Sequence, residues 1–170
     1  MNHVARQLYI LRHAKSDWGT DAANDFQRPL NGRGVRNARK MGKWMAEQGI
    51  SPETIICSSA LRAWQTAALV CNGLGIDEIQ IQFTSALYLA DLGTLMETVN
   101  TLPLTSDSAM LVGHNPGLDQ LVAHLAGNEV PVAPDGKVMA TATLAQLALD
   151  GDWSAATEGV ATLVHLHRAR

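Results

Sequence analysis

What most constrains the fold of this sequence is an alternation of short apolar runs with longer segments of helical period. Gln7-Leu8-Tyr9-Ile10-Leu11, Thr54-Ile55-Ile56-Cys57 and Ala109-Met110-Leu111-Val112 are compact runs of the kind that fill buried strands. Between them, Asn31 to Gln48 repeats apolar residues at Val35, Ala38, Met41 and Met45. A second helix, from about Ala60 to Asn72, is expected to bury Leu61, Trp64, Ala68 and Cys71 on one face. Ile79, Ile81 and Phe83 alternate with Gln80 and Gln82, which reads as a half-buried strand. Leu92 to Leu102 reads as a helix closed by Pro103. Asn115 reads as the N-cap, and Pro116 as the first turn, of a helix running to Gly127. Two strand-like runs, Val138 to Leu147 and Val160 to His165, suggest a hairpin-like edge pair. Strands separated by helices imply βαβ units, so we expect an α/β fold with a mostly parallel sheet covered on both faces.

The chain has 170 residues, enough for a single domain, 1–170, with its own core. Charged residues make up only 17% and the net charge is -3. Such a balance gives no bulk attraction to nucleic acid or anionic lipid, so neither is expected as a partner and any anion site must be local. No run approaches the length of a membrane span. The apolar run Leu8 to Leu11 is too short for a signal-peptide core, and the cytoplasm is the expected location. Cys57 and Cys71 lack CxxC spacing and lie in apolar stretches, so they read as buried free thiols.

In sheets of this kind ligands gather at the carboxyl ends of strands. Three such ends carry polar residues: Arg12-His13, Ser58-Ser59 with Arg62, and His114-Asn115. Each has an ordinary reading: a solvated strand end, a surface helix arginine, a structural histidine. Together they bring two arginines, two histidines and two helix N-termini to one sheet edge, a pocket for a dianion with a nucleophile built in. Arg62 lies off the Leu61, Trp64, Ala68 stripe, which leaves it free to turn toward such an anion. The loop from Lys15 to Leu30 is long for a compact domain, and long loops are often functional.

These residues resemble the histidine phosphatase superfamily. Leu11-Arg12-His13-Ala14-Lys15-Ser16-Asp17-Trp18 is similar to its signature. Pro29-Leu30-Asn31-Gly32-Arg33-Gly34, the segment Ser58 to Ala67, and Val112-Gly113-His114-Asn115-Pro116 are similar to its later motifs, in order, over residues 7 to 127. The short length and the Arg-His-Ala form look most like the bacterial phosphohistidine phosphatases. The resemblance implies a phosphoglycerate mutase-like three-layer α/β/α sandwich and a two-step phosphoryl transfer. His13 would be the nucleophile, Arg12, Arg62 and His114 would line the phosphate pocket, and Ser16 matches a position that often touches phosphate. It implies no metal and no cofactor. Flanking arginines should keep His13 neutral by like-charge repulsion.

The sequence departs from the pattern in three places. Ala14 stands where the family has glycine, and Gly19 where mutase-like relatives carry asparagine. Leu87-Tyr88-Leu89-Ala90-Asp91 lacks the glutamate acid that many relatives place after the third strand. Asp17, Asp25 or Asp91 could substitute, Asp17 first, although the ordinary reading, a plain loop aspartate, is the favoured one. A missing acid would hurt alkyl esters more than phosphoramidates, whose nitrogen departs easily once protonated. The expected substrate is therefore phosphohistidine in a protein partner, helped by a cleft that the chain length predicts to have no helical lid. Alternatives are a small phosphorylated metabolite, or a non-catalytic phosphate-binding adaptor, against which the intact His13 argues.

Other signals are weaker. Asn31-Gly32-Arg33-Gly34 reads as a helix start rather than a dinucleotide motif. His165, His167 and His124 lack convincing zinc spacing. Trp44 and Trp64 read as packing residues and Trp18 as a candidate pocket rim. Arg33, Arg36, Arg39, Lys40 and Lys43 form a solvated basic face that could also steer an acidic phosphoprotein toward the site.

Overall fold

The computed structural model describes residues 4–127 and 129–170; residues 1–3 and 128 of the expected 1–170 unit lie outside the description. Its elements are β1 (Arg6–Arg12), α1 (Gly32–Glu47), β2 (Thr54–Ser58), α2 (Leu61–Leu74), β3 (Ile81–Thr84), α3 (Leu92–Asn100), β4 (Ser108–Gly113), α4 (Gly117–Leu125), β5 (Thr143–Leu149) and β6 (Ala161–Arg168). One sheet runs β3-β2-β4-β1-β5-β6. The first four strands in that order pair in parallel, while β5 and β6 are antiparallel.

Alternation along the central strands divides the core. Leu8, Ile10 and Leu111 face Leu95, Leu118 and Leu121 of α3 and α4. Tyr9, Leu11 and Val112 face Met41, Met45, Ala63 and Ala67 of α1 and α2. Side chains on a strand point alternately to opposite faces, so an unbroken apolar run supplies both layers. The result is the expected α/β/α sandwich, with β4 and β1 at its centre.

Helix α1 starts where expected. The Asn31 side chain accepts the Gly34 N–H at 2.8 Å, capping the first turn. Gly34 also lets that turn touch the loop after His13: a Cβ there would lie 2.0 Å from the Lys15 carbonyl oxygen.

The buried face of α2 differs from the expected one. Arg62, Ala63, Thr66, Ala67, Val70 and Cys71 are inside, whereas Trp64 is exposed and Leu61 and Ala68 only partly covered. The reason is a close helix crossing: a Cβ on Gly42 of α1 would come within 2.9 Å of the Val70 carbonyl oxygen. Only small residues fit that contact, and they carry little hydrophobic signal against leucine and tryptophan. Cys57 and Cys71 are buried free thiols, as expected.

Three further expectations are corrected. Ile79 sits in a 3-10 turn, 86% exposed, and of the alternating set only Ile81 is buried, because β3 is the edge strand. Phe83 instead packs on Trp64, the ring centroids 5.1 Å apart. Helix α4 begins at Gly117 after Pro116. Asn115 still serves its start, its side-chain oxygen accepting from the Asp119 N–H at 3.2 Å. Finally, β5 begins only at Thr143, because the N–H groups of Val138 and Met139 donate to the Asp119 carboxylate, not to a strand; β6 runs on to Arg168.

Candidate active site

The carboxyl ends of β1, β2 and β4 open on a cavity of about 360 Å3. Arg12, His13, Ser16, Trp18, Asp25, Arg28, Arg62, His114 and Thr141 are among its lining residues. Arg12 ends β1 and His13 follows it, held in register by a hydrogen bond from its N–H to the Gly113 carbonyl at 3.1 Å. His114 follows β4, and Arg62 lies in the first turn of α2. The structure therefore brings Arg12, His13, Arg62 and His114 to one place.

Hydrogen bonding fixes the His13 tautomer. Nδ1 lies 2.7 Å from the Ala14 carbonyl oxygen. A carbonyl only accepts, so Nδ1 carries the proton and Nε2 keeps its lone pair. The His13 imidazolium is disfavoured chiefly by burial, opposed by the Ala14 carbonyl and helped by Arg62, Arg12 and Arg28; its pKa falls to about 4. The arginines thus act in the expected direction, but desolvation is the larger cause. His114 is pulled down to about 3 by burial first and then by His13 and Arg62. Its Nε2 lies 2.7 Å from the Ser58 hydroxyl, and its ring centroid is 5.2 Å from that of His13. The site holds two neutral imidazoles between two cationic forks.

The two forks are anchored differently. Arg12 Nη1 donates to the Met139 carbonyl at 2.9 Å, and burial lowers its pKa. Arg62, only 3% exposed, donates through Nη1 to the Asp25 carbonyl at 2.7 Å and through Nη2 to the Asp25 carboxylate at 3.0 Å. Among the described residues, Nε of Arg12, Nε of Arg62 and Nδ1 of His114 are buried without hydrogen-bond partners. Buried polar atoms are ordinarily paired, so these are unused capacity beside the cavity.

The three candidate acids separate clearly. Asp17 turns to the Gly19 N–H at 2.8 Å in the exposed loop, and its side chain is not part of the lining. Asp91 caps α3, accepting from Thr94 N–H at 2.9 Å, also outside the lining. Asp25 does line the cavity. Hydrogen bonds from Tyr88, Arg28 and Arg62, with Tyr88 the largest cause, hold its carboxyl well below the usual range despite some desolvation. None of the three combines position with a retained proton.

Sequence reasoning missed Arg28. It is buried, donates from Nη1 to the Ser16 hydroxyl at 2.7 Å and from Nε to Asp25 at 2.9 Å. Its guanidinium carbon lies 3.5 Å from the Trp18 ring centroid, which puts Trp18 on the pocket rim as expected. A loop has no periodicity, so the only available signal was an arginine in an unusually long one. Thr66 was missed too. Its hydroxyl donates to the Arg62 carbonyl at 2.7 Å and accepts the Ala14 N–H at 3.0 Å, tying α2 to the loop behind His13. His165 and His167 pack on Trp44, His167 stacked 3.8 Å from it. Among the described residues, no group of three or more His, Cys, Asp or Glu side chains is placed to hold a metal, and no helix is long and apolar enough to cross a membrane.

An α/β/α sandwich with paired histidines and arginines at the ends of its central strands defines a phosphoryl-handling enzyme. Comparison with known proteins agrees. The family model for the histidine phosphatase superfamily (branch 1) matches residues 8–103. An uncharacterized protein of Mycobacterium tuberculosis is 33% identical over 94% of this chain and 100% of its own length. The phosphohistidine phosphatase SixA of Escherichia coli is 30% identical over 81% of this chain and 85% of its own. A solved structure of the protein histidine phosphatase SixA complexed with tungstate superposes with a TM-score of 0.80 at 27% identity, covering 96% of this chain and 97% of that one. The chain belongs to the histidine phosphatase superfamily, in its SixA-like branch, and is a hydrolytic phosphatase.

Proposed function

We propose that the chain removes phosphate from phosphohistidine in a protein partner, through a covalent phosphohistidine on His13. The observation that carries the reading is the His13 hydrogen bond to Ala14, which leaves Nε2 as a neutral, oriented nucleophile. Nε2 attacks phosphorus as the bond to the leaving nitrogen breaks, and that nitrogen takes its proton from solvent. Arg12, Arg62 and His114 hold the equatorial oxygens while charge spreads over them. Water then attacks the phosphorylated His13, releasing inorganic phosphate and restoring the neutral ring. Ser16 contributes by holding Arg28 at the rim, and Asp17 by ordering its loop through Gly19.

The preference for a P–N bond rests on Asp25. The one candidate acid in the cavity is held ionised and has no proton for an alkoxide. The leaving imidazole of phosphohistidine needs less help. SixA of E. coli, a relative at 30% identity, is described as a phosphohistidine phosphatase, which favours the same substrate class here. A cytoplasmic location accompanies this reading, consistent with the two free thiols.

Brief incubation with radiolabelled phosphohistidine peptide, followed by a quench at alkaline pH, should leave acid-labile label on His13 and none in His13→Ala. Vanadate should inhibit turnover. Faster turnover of alkyl phosphate monoesters than of phosphohistidine peptide would shift the assignment to a small-molecule phosphomonoesterase. Phosphate binding without label or turnover would leave only an adaptor.

A further inference from the structure

A second cavity, of about 430 Å3, lies beside the phosphate pocket and shares Thr141 with it. Its polar lining is Arg33, Asn37, Asp135, Thr141, Arg168 and Arg170. Three arginines and one aspartate thus line it, and Arg168 Nη2 also donates to the Val138 carbonyl at 3.4 Å. The four ion pairs among the described residues involve none of the three arginines. In a chain of net charge -3 this is an uncompensated local excess of positive charge.

Asn37 is the second observation. It sits within α1, where asparagine is a poor helix former, and is only 7% exposed. It lines the cavity, and its amide is not one of the sealed polar atoms left without a partner, so it opens on that cavity. An amide N–H₂ group open to the cavity can donate to a carboxylate, and the neighbouring arginines cannot accept from it. An anion entering the cavity would accept from that amide and would also pair with the guanidinium forks. Asp135 lies near enough to Arg12 to act on its charge. Both cavities are thus within one electrostatic neighbourhood.

We propose that this cavity is a second anion subsite that takes a carboxylate side chain from an acidic segment flanking the phosphorylated residue of the protein substrate. The inference rests on the proposed phosphohistidine protein phosphatase. Arg33 begins the same helix as Arg36, Arg39, Lys40 and Lys43, so an acidic segment leaving the cavity along α1 would continue over a basic face. A polypeptide can span from one cavity to the other, whereas a single small carboxylate cannot fill both.

The test compares a phosphohistidine peptide flanked by glutamates with its glutamine counterpart, using the full chain and the double variant Arg33→Gln/Arg170→Gln. Phosphoramidate, which carries no second acidic group, reports on the phosphate pocket alone. The wild type should show a KM roughly tenfold lower for the acidic peptide, an advantage lost in the double variant and at high salt. Phosphoramidate turnover should be unchanged in the variant. Equal KM values for the two peptides in the wild type would overturn the subsite, as would an acidic preference that survives the double substitution. A KM advantage that the variant removes only for small bisphosphorylated compounds would overturn the peptide as occupant. Failure of the wild type to turn over both phosphoramidate and the glutamine peptide would instead defeat the underlying phosphatase reading.

Discussion

Asp25 grips Arg62 twice, accepting from Nη1 with its main-chain carbonyl at 2.7 Å and from Nη2 with its carboxylate at 3.0 Å. A loop residue thereby aims the buried fork that lines the cavity. Asp25→Asn keeps the shape and loses the charge. We expect kcat/KM to fall by about tenfold, the scale of one charge-assisted hydrogen bond, with Arg62 less well aimed. Stability supplies a second readout. The folded carboxyl titrates below its ordinary value of 3.8, so its contribution is present above about pH 4 and is lost as pH falls through the folded pKa. Urea midpoints of wild type and Asp25→Asn should therefore differ at pH 6 and converge as the pH is lowered below about 4. A gap that widens in acid would refute the assignment.

Arg62→Lys and Arg12→Lys test whether planar forks are required or only positive charge. A lysine ammonium is a point charge and cannot match two phosphate oxygens at once. Each substitution should cost on the order of 10²–10³ in kcat. Arg28→Lys should act mainly on KM, because Arg28 works from the rim through Ser16 and Trp18. Steady-state kinetics on phosphoramidate separate the two patterns.

His13 sets the acid side of both activity and stability. Its pKa of about 4, against an ordinary 6.5, keeps the nucleophile neutral well into weak acid. The acid limb of kcat/KM, corrected for substrate ionisation, should fall near pH 4 and not near 6.5. In the unfolded chain His13 binds a proton below about 6.5 that the folded chain refuses until about 4. Stability from this group is thus full above 6.5 and declines as pH drops toward 4, by up to about 1.4 kcal/mol per pH unit. His114 adds a slope of the same sign. His13→Gln should flatten the decline, as read from urea midpoints between pH 7 and 5.

How much of this was legible from residues alone follows from the kind of signal each part carries. The central strands were plain because a strand buried on both faces must be continuously apolar, as Leu8 to Leu11 and Ala109 to Val112 are. Arg12, His13, Arg62 and His114 were legible because strand ends and helix starts fall at fixed places in a βαβ unit. The inner face of α2 was not, since Ala63, Thr66 and Ala67 are inside for their small size at the Gly42 crossing. Arg62 was read as lying off the core stripe, yet it is on the buried face and reaches the cavity from there. Arg28 lies in the Lys15 to Leu30 loop, where no period exists to be read, and the ionised state of Asp25 depends on Tyr88 and Arg62 reaching that loop from distant parts of the chain.

Gly34 offers the last test, in which two effects oppose each other. Replacing a helical glycine by alanine ordinarily stabilises by about 1 kcal/mol through backbone entropy. At Gly34 the added methyl carbon would lie 2.0 Å from the Lys15 carbonyl oxygen. That neighbour is backbone, two residues beyond the nucleophile, and it also accepts the Asn31 N–H at 3.0 Å. It cannot yield without moving the loop that carries Ser16. Overpacking of this kind costs about 1–3 kcal/mol, so the clash outweighs the propensity gain. Gly32 is the control, because its Cβ would meet only the far end of the Arg36 side chain at 3.4 Å. We expect Gly34→Ala to lower Tm by several degrees, roughly 2–4 °C per kcal/mol for a chain of this size, and to lower kcat as well. Gly32→Ala should leave both within error or slightly raise Tm. Equal melting temperatures for the two variants would show that the Lys15 loop moves freely, and that the packing of α1 does not position His13.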